Sequence, residues 1–234
     1  MIKVENIETW GFEHAIRGMR NPMNSWDKSD SGKGCCRSTN NTEFVLCNQC
    51  LMSTNCDSNG FFQLGKNDLD LMRRLYNGGS EHRKYLRQIF ISMDITAPLY
   101  WWKEFDTYKV GTVSNSCSTM HKIHAKEFDF GDFSTEHLSD DNFLVLQIII
   151  NGLNSARNHY LENKDKFWWW QMIQMLPSSY NQKRTITMNY ENVMSIINQR
   201  TGHKLDEWNT LTDIFMNLPY VKEIRGERNE LGTT

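Results

Sequence analysis

The pattern that most restricts the fold is a long helical segment in the second half of the chain. From Asp140 to Asn163, apolar residues recur every three or four positions and lie on one helix face: Phe143, Leu146, Ile150 and Leu153. Three further helices are predicted after it: Asp165 to Leu176, Tyr190 to Thr201 and Asp206 to Leu218. A helix-rich chain is therefore expected.

Two β-type segments accompany these helices. Apolar and polar residues alternate from Tyr85 to Asp94, and Arg184 to Asn189 is a second short β-type run. A helix capped by Asn67 is predicted before the first run, and Thr96 with Pro98 marks the start of another helix after it. The mixture predicts an α+β fold, and a length of 234 residues favours a single domain.

Composition and charge argue against several classes of partner. The formal charge of −2 and the pI near 6.4 give no electrostatic footprint for nucleic acid or for an anionic membrane. The longest apolar run, Phe143 to Ile150, is far shorter than the ~20 residues that cross a bilayer. The N-terminus lacks the apolar stretch of a signal peptide. We therefore expect a cytoplasmic protein without a membrane or nucleic-acid partner.

Five of the six cysteines lie in a polar, loop-like segment at about residues 20–65. Cys47 and Cys50 have the spacing of half a zinc site, and Cys56 with either Cys35 or Cys36 would complete four thiolates. A loop of this length is unusual in a compact domain unless it is functional or held in place. The segment is therefore either a Cys-rich insertion that binds a structural zinc or a loop with free thiols.

Tryptophans are concentrated at two places. Consecutive helical residues point about 100° apart, so Trp168–Trp170 cannot all face the core. We expect core packing and a subunit interface from them, with ligand stacking as the alternative. At the second place, Trp101 and Trp102 precede a hydroxyl-rich run from Glu104 to Ile123. That run is either a surface loop or the wall of a pocket for a polar ligand.

A series of short motifs keeps a definite order along the chain. Glu81-His82 precedes the first β-type run, and the segments IFISMDITAPLYWW and SNSCSTMH follow the pair. Beyond Leu176-Pro177, the second β-type run reaches Asn189 and the next helix ends at Arg200. This order resembles that of the flavin-dependent thymidylate synthases, whose signature is Arg-His-Arg-x-x-Ser-x-Asn-x-x-Ser-x-Arg. The resemblance covers roughly residues 79–208.

The resemblance implies a fold, a chemistry and a set of site residues. The family's fold is helix-rich with a central, mostly antiparallel sheet, and it assembles as a homotetramer. Reduced FAD delivers hydride, methylenetetrahydrofolate supplies the one-carbon unit, NADPH reduces the flavin, and carbon 5 of dUMP is modified. At the matching positions, His82, Asn115 and Asn189 would bind the flavin. Ser118 would polarise the base, and Arg200 would bind the nucleotide.

The sequence also departs from the family signature. Phe105-Asp106-Thr107 or Tyr108-Lys109-Val110 stands where Arg-His-Arg is expected, and Val113, Met120 and Trp102 replace a Ser, an Arg and a Gln. The Arg expected just before the Leu-Pro pair is missing as well. Each lost Arg removes a hydrogen bond to a charged group, worth roughly 1.5–3 kcal/mol. The candidates to substitute for them are Lys103, Lys109, Lys122 or Arg184, as point charges without the geometry of the lost donor fork.

Two functions follow from these matches and departures. One is a divergent flavin-dependent enzyme that transfers a one-carbon unit to a pyrimidine deoxynucleotide. The other is a catalytically inactive nucleotide-binding or structural relative of the same fold. The replacement segment has stayed polar beside an aromatic helix, and this favours the enzyme.

Overall fold

The computed structural model describes residues 2–33 and 62–226. Its strands are β1 Lys3–Trp10, β2 Gly32–Lys33, β3 Phe62–Gln63, β4 Phe90–Pro98, β5 Val113–Ser116 and β6 Asn181–Asn189. The central antiparallel sheet has the order β1-β4-β6-β5, and β2 pairs separately with β3. The central, mostly antiparallel sheet expected from the resemblance is confirmed.

Helices make up most of the remaining regular structure. They are α1 Phe12–Arg20, α2 Lys66–Asn77, α3 Leu99–Phe105, α4 Asp140–Asn163, α5 Lys166–Met175, α6 Tyr190–Arg200, α7 Asp206–Met216 and α8 Val221–Arg225. Short 3-10 helices lie at Asn21–Met23, Trp26–Lys28, Lys84–Gln88 and Phe130–Asp132. None of the helices in the described ranges is long and apolar enough to span a membrane. The predicted helix-rich α+β class is confirmed.

The bounds of α4 agree with the prediction because local signals fix both of its ends. Ser139 precedes the helix, and its side chain accepts a hydrogen bond from the backbone N–H of Asn142 at 3.4 Å. Lys164 ends the helix in a left-handed conformation, with φ of 57°. Asp165 then caps α5 by accepting from the N–H of Phe167 at 2.9 Å.

The first β-type run is shifted from its predicted position of Tyr85 to Asp94. Tyr85 and Leu86 are buried in a 3-10 helix, and the strand is Phe90–Pro98. Thr96 therefore belongs to the strand, and the following helix begins at Leu99. The alternation of apolar and polar residues is real, but the apolar residues Tyr85 and Leu86 precede the strand. They made the predicted strand begin too early, while its true end at Pro98 was missed.

In the N-terminal half, one predicted helix cap is wrong and one helix was not predicted. Asn67 does not cap α2, because the helix begins at Lys66 and Gly65 occupies the cap position. Helix α1 was not predicted, although its buried residues have helical spacing: Phe12, Ala15, Ile16 and Met19. Gly11 connects β1 to α1 with φ of 96°, and a Cβ there would lie 2.1 Å from the carbonyl oxygen of Gln88.

The chain divides by its contacts into two compact units. Unit 1 consists of Met1–Glu8, Ile91–Met188 and Ser195–Ile214, and unit 2 of Thr9–Phe90, Asn189–Met194 and Phe215–Thr234. The expectation of a single domain that carries a Cys-rich insertion stays a prediction. Of residues 20–65, the structure describes 20–33 and 62–65, which include the first two 3-10 helices and the paired strands β2 and β3.

An aromatic cluster lies at the centre of unit 1. Trp101 and Trp102 on α3 are buried, with ring centroids 4.8 Å apart. Trp101 also contacts Phe105 at 5.0 Å and Trp208 at 4.8 Å. On β4, every second residue from Ile91 to Ala97 is buried, and the residues between them are half-buried. One sheet face therefore packs on the core, and the other carries polar side chains.

A second apolar cluster in unit 1 forms between α4, α5 and the loop before them. Its buried members are Ile123, Phe128, Phe133, Leu146, Ile150, Leu153, Ala156 and Met172. Trp168 and Trp169 pack against it partly buried, whereas Trp170 is exposed. As predicted, the three tryptophans do not all face the core.

Unit 2 contains a buried ion pair. Arg20 on α1 donates from Nε to Oδ1 of Asp68 on α2 at 2.6 Å, and their side chains are 4% and 0% exposed. The other carboxylate oxygen accepts from the hydroxyls of Ser29 at 2.8 Å and Ser31 at 2.6 Å. Burial raises the pKa of Asp68, but the hydrogen bonds from Ser31, Ser29 and Arg20 outweigh it and lower that pKa below 3.8.

Candidate functional site

Arg200 lies at the last position of α6, as predicted, and its guanidinium has several partners in unit 1. It donates from Nη1 to Oε2 of Glu104 at 2.8 Å and from Nε to the hydroxyl of Tyr108 at 2.9 Å. Its guanidinium carbon lies 4.7 Å from the ring centroid of Trp208. The Nε1 of Trp208 donates to the same Glu104 oxygen at 3.0 Å. A nucleotide at Arg200 would therefore meet a cation already paired with Glu104.

Asn115 lies on the edge strand β5 and is exposed. Its partner in the register is Thr185, which donates to Oδ1 of Asp94 at 2.6 Å. Asn6 donates to Oδ2 of Asp94 at 3.0 Å, and Lys183 pairs with the same oxygen at 3.1 Å. Cross-strand partners share a sheet face, so Asn115 belongs to a polar row that crosses all four strands.

Asp94 connects this polar row to the pH dependence of stability. Hydrogen bonds from Thr185, Asn6 and Lys183 lower the pKa of Asp94 from 3.8 to about 2. Because the folded-state pKa is depressed, the ionised carboxylate stabilises the fold above pH 4, and this contribution is lost as the pH falls towards 2.

We expect the stability difference between the parent chain and Asp94→Asn to be largest above pH 4 and to close between pH 4 and pH 2. Urea unfolding across this pH range would measure it. Thr185→Val removes one donor and keeps the carboxyl group, so it should show the same trend with a smaller amplitude. A difference independent of pH would mean that the Asp94 carboxylate is not stabilised by these contacts.

Ser118 is exposed and shapes a turn just after β5. Its Oγ accepts from the backbone N–H of His121 at 2.8 Å and of Met120 at 3.3 Å. The carbonyl of Met120 in turn accepts from Nε1 of Trp169 at 2.8 Å, which ties the turn to α5. A hydroxyl that accepts from the backbone still has its own proton to donate, so a base-polarising role remains compatible with this geometry.

Two of the predicted residues belong to unit 2. His82 is exposed in a turn, where its backbone N–H donates to the carbonyl of Gly79 at 3.1 Å. It was predicted at the entrance to a strand, but β4 begins only at Phe90. Asn189 is buried, and its Oδ1 accepts from the N–H of Asn192 at 3.0 Å, so it caps the first turn of α6.

The predicted site residues in unit 1 have separate sets of hydrogen-bond partners. Within the described part of the chain, no hydrogen bond joins Asn115, Ser118 and Arg200. The partners of Arg200 are separated from it by up to 96 residues, so no local pattern reveals them. Glu104, Tyr108 and Trp208 were therefore missed, although sequence analysis named the segment that contains the first two.

Arg184 on β6 is the other well-positioned cation of unit 1. Its guanidinium carbon lies 4.1 Å from the ring centroid of Trp102. Nη1 donates to Oδ1 of Asp106 at 2.7 Å, and Nε donates to Oε1 of Gln182 at 3.0 Å. The sequence suggested Arg184 only as a point charge, and the stacking on Trp102 gives its guanidinium a fixed plane.

The cysteines predicted to bind zinc, Cys35, Cys47, Cys50 and Cys56, and the alternative Cys36 lie outside the described residues. Within residues 2–33 and 62–226, no group of three or more His, Cys, Asp or Glu side chains has a metal-binding arrangement. Cys117 in this part of the chain is an exposed free thiol. The zinc site therefore stays a prediction from spacing.

A cavity of about 210 Å³ lies in unit 2. Its lining residues come from α1 and the segments that flank β2 and β3: Glu13, Ile16, Arg17, Arg20, Trp26, Ser29, Ser31 and Phe62. None of these is a predicted site residue. The cavity therefore adds nothing to the site proposed from the sequence.

Comparisons by sequence identify no relative. A scan against protein-family models finds no match. A search of curated proteins finds none either. Any relationship must therefore be judged from the three-dimensional structure.

Solved structures resemble the chain over most of its length. Two crystal structures of the flavin-dependent thymidylate synthase ThyX from Helicobacter pylori, each with FAD and dUMP, match with a TM-score of 0.63 and 16% identity. They cover 95% and 96% of this chain and 97% of the ThyX chain. The UMP/dUMP methylase PolB from Streptomyces cacaoi, bound with 5-Br dUMP, matches with a TM-score of 0.54 and 14% identity, over 91% of this chain and 87% of PolB. At these identities the likeness concerns the fold, and the chain has the fold of the flavin-dependent thymidylate synthases.

Proposed function

We propose that the chain is a divergent flavin-dependent enzyme that transfers a one-carbon unit to carbon 5 of a pyrimidine deoxynucleotide, with dUMP as the first candidate. The observation that carries this proposal is the structural likeness, over 95% of the chain, to an enzyme that binds FAD and dUMP. The likeness is supported by motif order, because His82, Asn115, Ser118, Asn189 and Arg200 follow one another as in that family.

The side chains of unit 1 fit a nucleotide in kind. Ser118 offers an exposed hydroxyl, and Arg184 and Arg200 offer guanidinium groups for phosphate. Trp102, which stands at the position of the family's Gln, is fully buried, and its Nε1 already donates to the carbonyl of Gln182 at 3.0 Å, so it has no donor left for a ligand. The nucleotide would therefore be bound by a partly different set of donors.

Through the resemblance alone, His82, Asn115 and Asn189 are proposed as the positions that match the family's flavin-binding residues. When bound, reduced FAD supplies the hydride for the one-carbon transfer. The chain's own contribution is to bind and orient the two ligands. Ser118 would donate a hydrogen bond from its hydroxyl to the base and so polarise it. NADPH and methylenetetrahydrofolate are proposed as co-substrates through the resemblance alone.

The inactive relative is the second candidate, and two observations favour it. The Arg-His-Arg triplet is absent, and Arg200 already pairs with Glu104 inside the fold. A site without its phosphate-binding arginines loses affinity by orders of magnitude unless other cations replace them. Purified protein that remains colourless after incubation with FAD would support this candidate.

The decisive experiment combines binding and chemistry. The purified chain is titrated with FAD and then supplied with NADPH, methylenetetrahydrofolate and dUMP, or dCMP in a parallel reaction. We expect the absorbance of bound oxidised flavin and a nucleotide product altered at carbon 5, detected by mass spectrometry. Reactions without FAD serve as the control. The proposed enzyme would be overturned if the chain bound no flavin and formed no product with either nucleotide.

The role proposed for Arg200 can be separated from its structural role. Arg200→Ala is expected to weaken dUMP binding by roughly 1.5–3 kcal/mol, the range for a hydrogen bond to a charged group. Glu104→Gln breaks the same ion pair and keeps Arg200, so it is the matched control. Calorimetric titration with dUMP should show a loss only in Arg200→Ala. An equal loss in both variants would mean that Arg200 acts by positioning α3.

We also propose that the chain assembles as a homotetramer in the cytoplasm. Exposed apolar side chains lie close together on the first turns of α4: Phe143, Leu144, Val145 and Ile148. Monomeric proteins rarely expose contiguous apolar surface of this kind. A structural zinc held by Cys47, Cys50, Cys56 and Cys35 stays part of the proposal on the basis of thiol spacing.

Ile148→Glu is expected to dissociate the assembly, because a charge would enter an apolar interface. Ile148 is 70% exposed in the single chain, so the substitution should not disturb folding. Val110→Glu, at a position that is 81% exposed and far along the sequence from α4, is the control and should leave the mass unchanged. Sedimentation velocity at micromolar concentration would measure both. A parent chain that sediments as a monomer would contradict the assembly.

A further inference from the structure

We propose that Arg184 binds the 5′-phosphate of the pyrimidine nucleotide, an inference that rests on the function proposed above. Arg184 lies on β6, opposite the polar segment that follows Trp101 and Trp102. Its register partner on β5 is Ser116, so both side chains leave the same face of the sheet. Gln182, which orients Arg184 through its Oε1, also donates from Nε2 to the carbonyl of Cys117 at 2.7 Å.

The guanidinium of Arg184 is held in place before any ligand arrives. Its guanidinium carbon lies over the Trp102 ring, 4.1 Å from the centroid, while Gln182 accepts from Nε and Asp106 accepts from Nη1. Nη2 donates to none of the described residues, and the side chain keeps 14% of its surface exposed. A planar donor fork with one open nitrogen matches a phosphate, which accepts from two neighbouring N–H groups at once.

Asp106 is the group that a phosphate would displace. Its side chain is 51% exposed, so it can turn to solvent, whereas Arg184 is fixed by Trp102 and Gln182. A phosphate monoester carries about −1.5 to −2 charges at pH 7 and three acceptor oxygens, more than a carboxylate offers. The exchange would leave Arg184 paired throughout, first with Asp106 and then with the nucleotide.

The two residues of this pair predict opposite effects on binding. Arg184→Gln is expected to weaken dUMP binding about 10- to 100-fold, because it removes a hydrogen bond to a charged group. Asp106→Asn removes the competing anion and is expected to strengthen dUMP binding. Deoxyuridine has the same base and sugar without the phosphate, so neither variant should change its affinity. A folding defect would lower both affinities and strengthen neither.

The experiment is a calorimetric titration of the full chain, saturated with FAD, with dUMP and separately with deoxyuridine. Arg184→Lys tests the fork, since it keeps the charge without the planar donors, and it should lie between the parent and Arg184→Gln. Arg74→Gln is the matched control, because it removes an exposed arginine from the Arg74–Asp70 pair in unit 2 and should change nothing.

The outcomes separate this inference from the proposed function. A parent chain that binds neither dUMP nor deoxyuridine overturns the proposed function and the inference together. A parent chain that prefers dUMP, with the preference unchanged in Arg184→Gln, overturns the role of Arg184 alone. Loss of the preference in Arg184→Gln, with a gain in Asp106→Asn, supports the phosphate assignment.

Discussion

Asp68→Ala is expected to lower the free energy of unfolding by about 3–5 kcal/mol, the cost of removing one partner of a buried ion pair. The variant would leave Arg20 charged and almost completely enclosed, and would also remove the acceptor of the Ser29 and Ser31 hydroxyls. Urea unfolding at neutral pH would measure the change. The loss should be larger than for a typical surface substitution, which stays within about 0.5 kcal/mol.

Asp70 provides the control for this prediction. It lies two residues further along α2, is exposed, and pairs with Arg74 at 2.9 Å on the helix surface. Asp70→Ala is therefore expected to change the free energy of unfolding by less than about 1 kcal/mol. Equal effects of the two substitutions would show that the Asp68 carboxylate contributes no more than a solvent-exposed one.

Trp101→Ala is expected to cost about 3–5 kcal/mol, the range for removing a large aromatic side chain from a core. The side chain is completely buried and contacts the rings of Trp102, Phe105 and Trp208. Chemical denaturation followed by circular dichroism would measure the loss. Trp26→Ala removes an exposed indole and serves as the control.

Trp101→Phe refines this prediction. The indole Nε1 of Trp101 is buried and has no hydrogen-bond partner among the described residues. Phe removes this unsatisfied donor and keeps most of the ring, so its cost should be well below that of Trp101→Ala. If Trp101→Phe lowered the free energy of unfolding as much as Trp101→Ala, the buried ring would not be the main source of stability, and the indole nitrogen would have a partner.

Helices with strong local signals could be predicted from the sequence, and α4 shows why. Its apolar spacing, the capping Ser139 and the left-handed Lys164 are all properties of a short stretch of chain. The start of β4 could not be placed in the same way. Tyr85 and Leu86 are apolar like strand residues, but tertiary packing buries them in a 3-10 helix.

The geometry of the candidate site was less accessible from the sequence than the fold. The order of motifs identified Asn115, Ser118 and Arg200 as residues of interest. Their partners depend on contacts between distant segments, such as Arg200 with Glu104 across 96 residues and Arg184 with Asp106 across 78. Periodicity and spacing in the sequence cannot predict such pairs, because they form only when α3 packs against α6 and β6.

The edge position of β5 has a consequence for how this protein can change over evolutionary time. All four of its residues are exposed, and among the described strands it pairs with β6 alone. Substitutions of the exposed side chains of β5 therefore remove none of the buried side chains that determine the fold. The chemistry of the groups that β5 presents can therefore diverge while the architecture is retained.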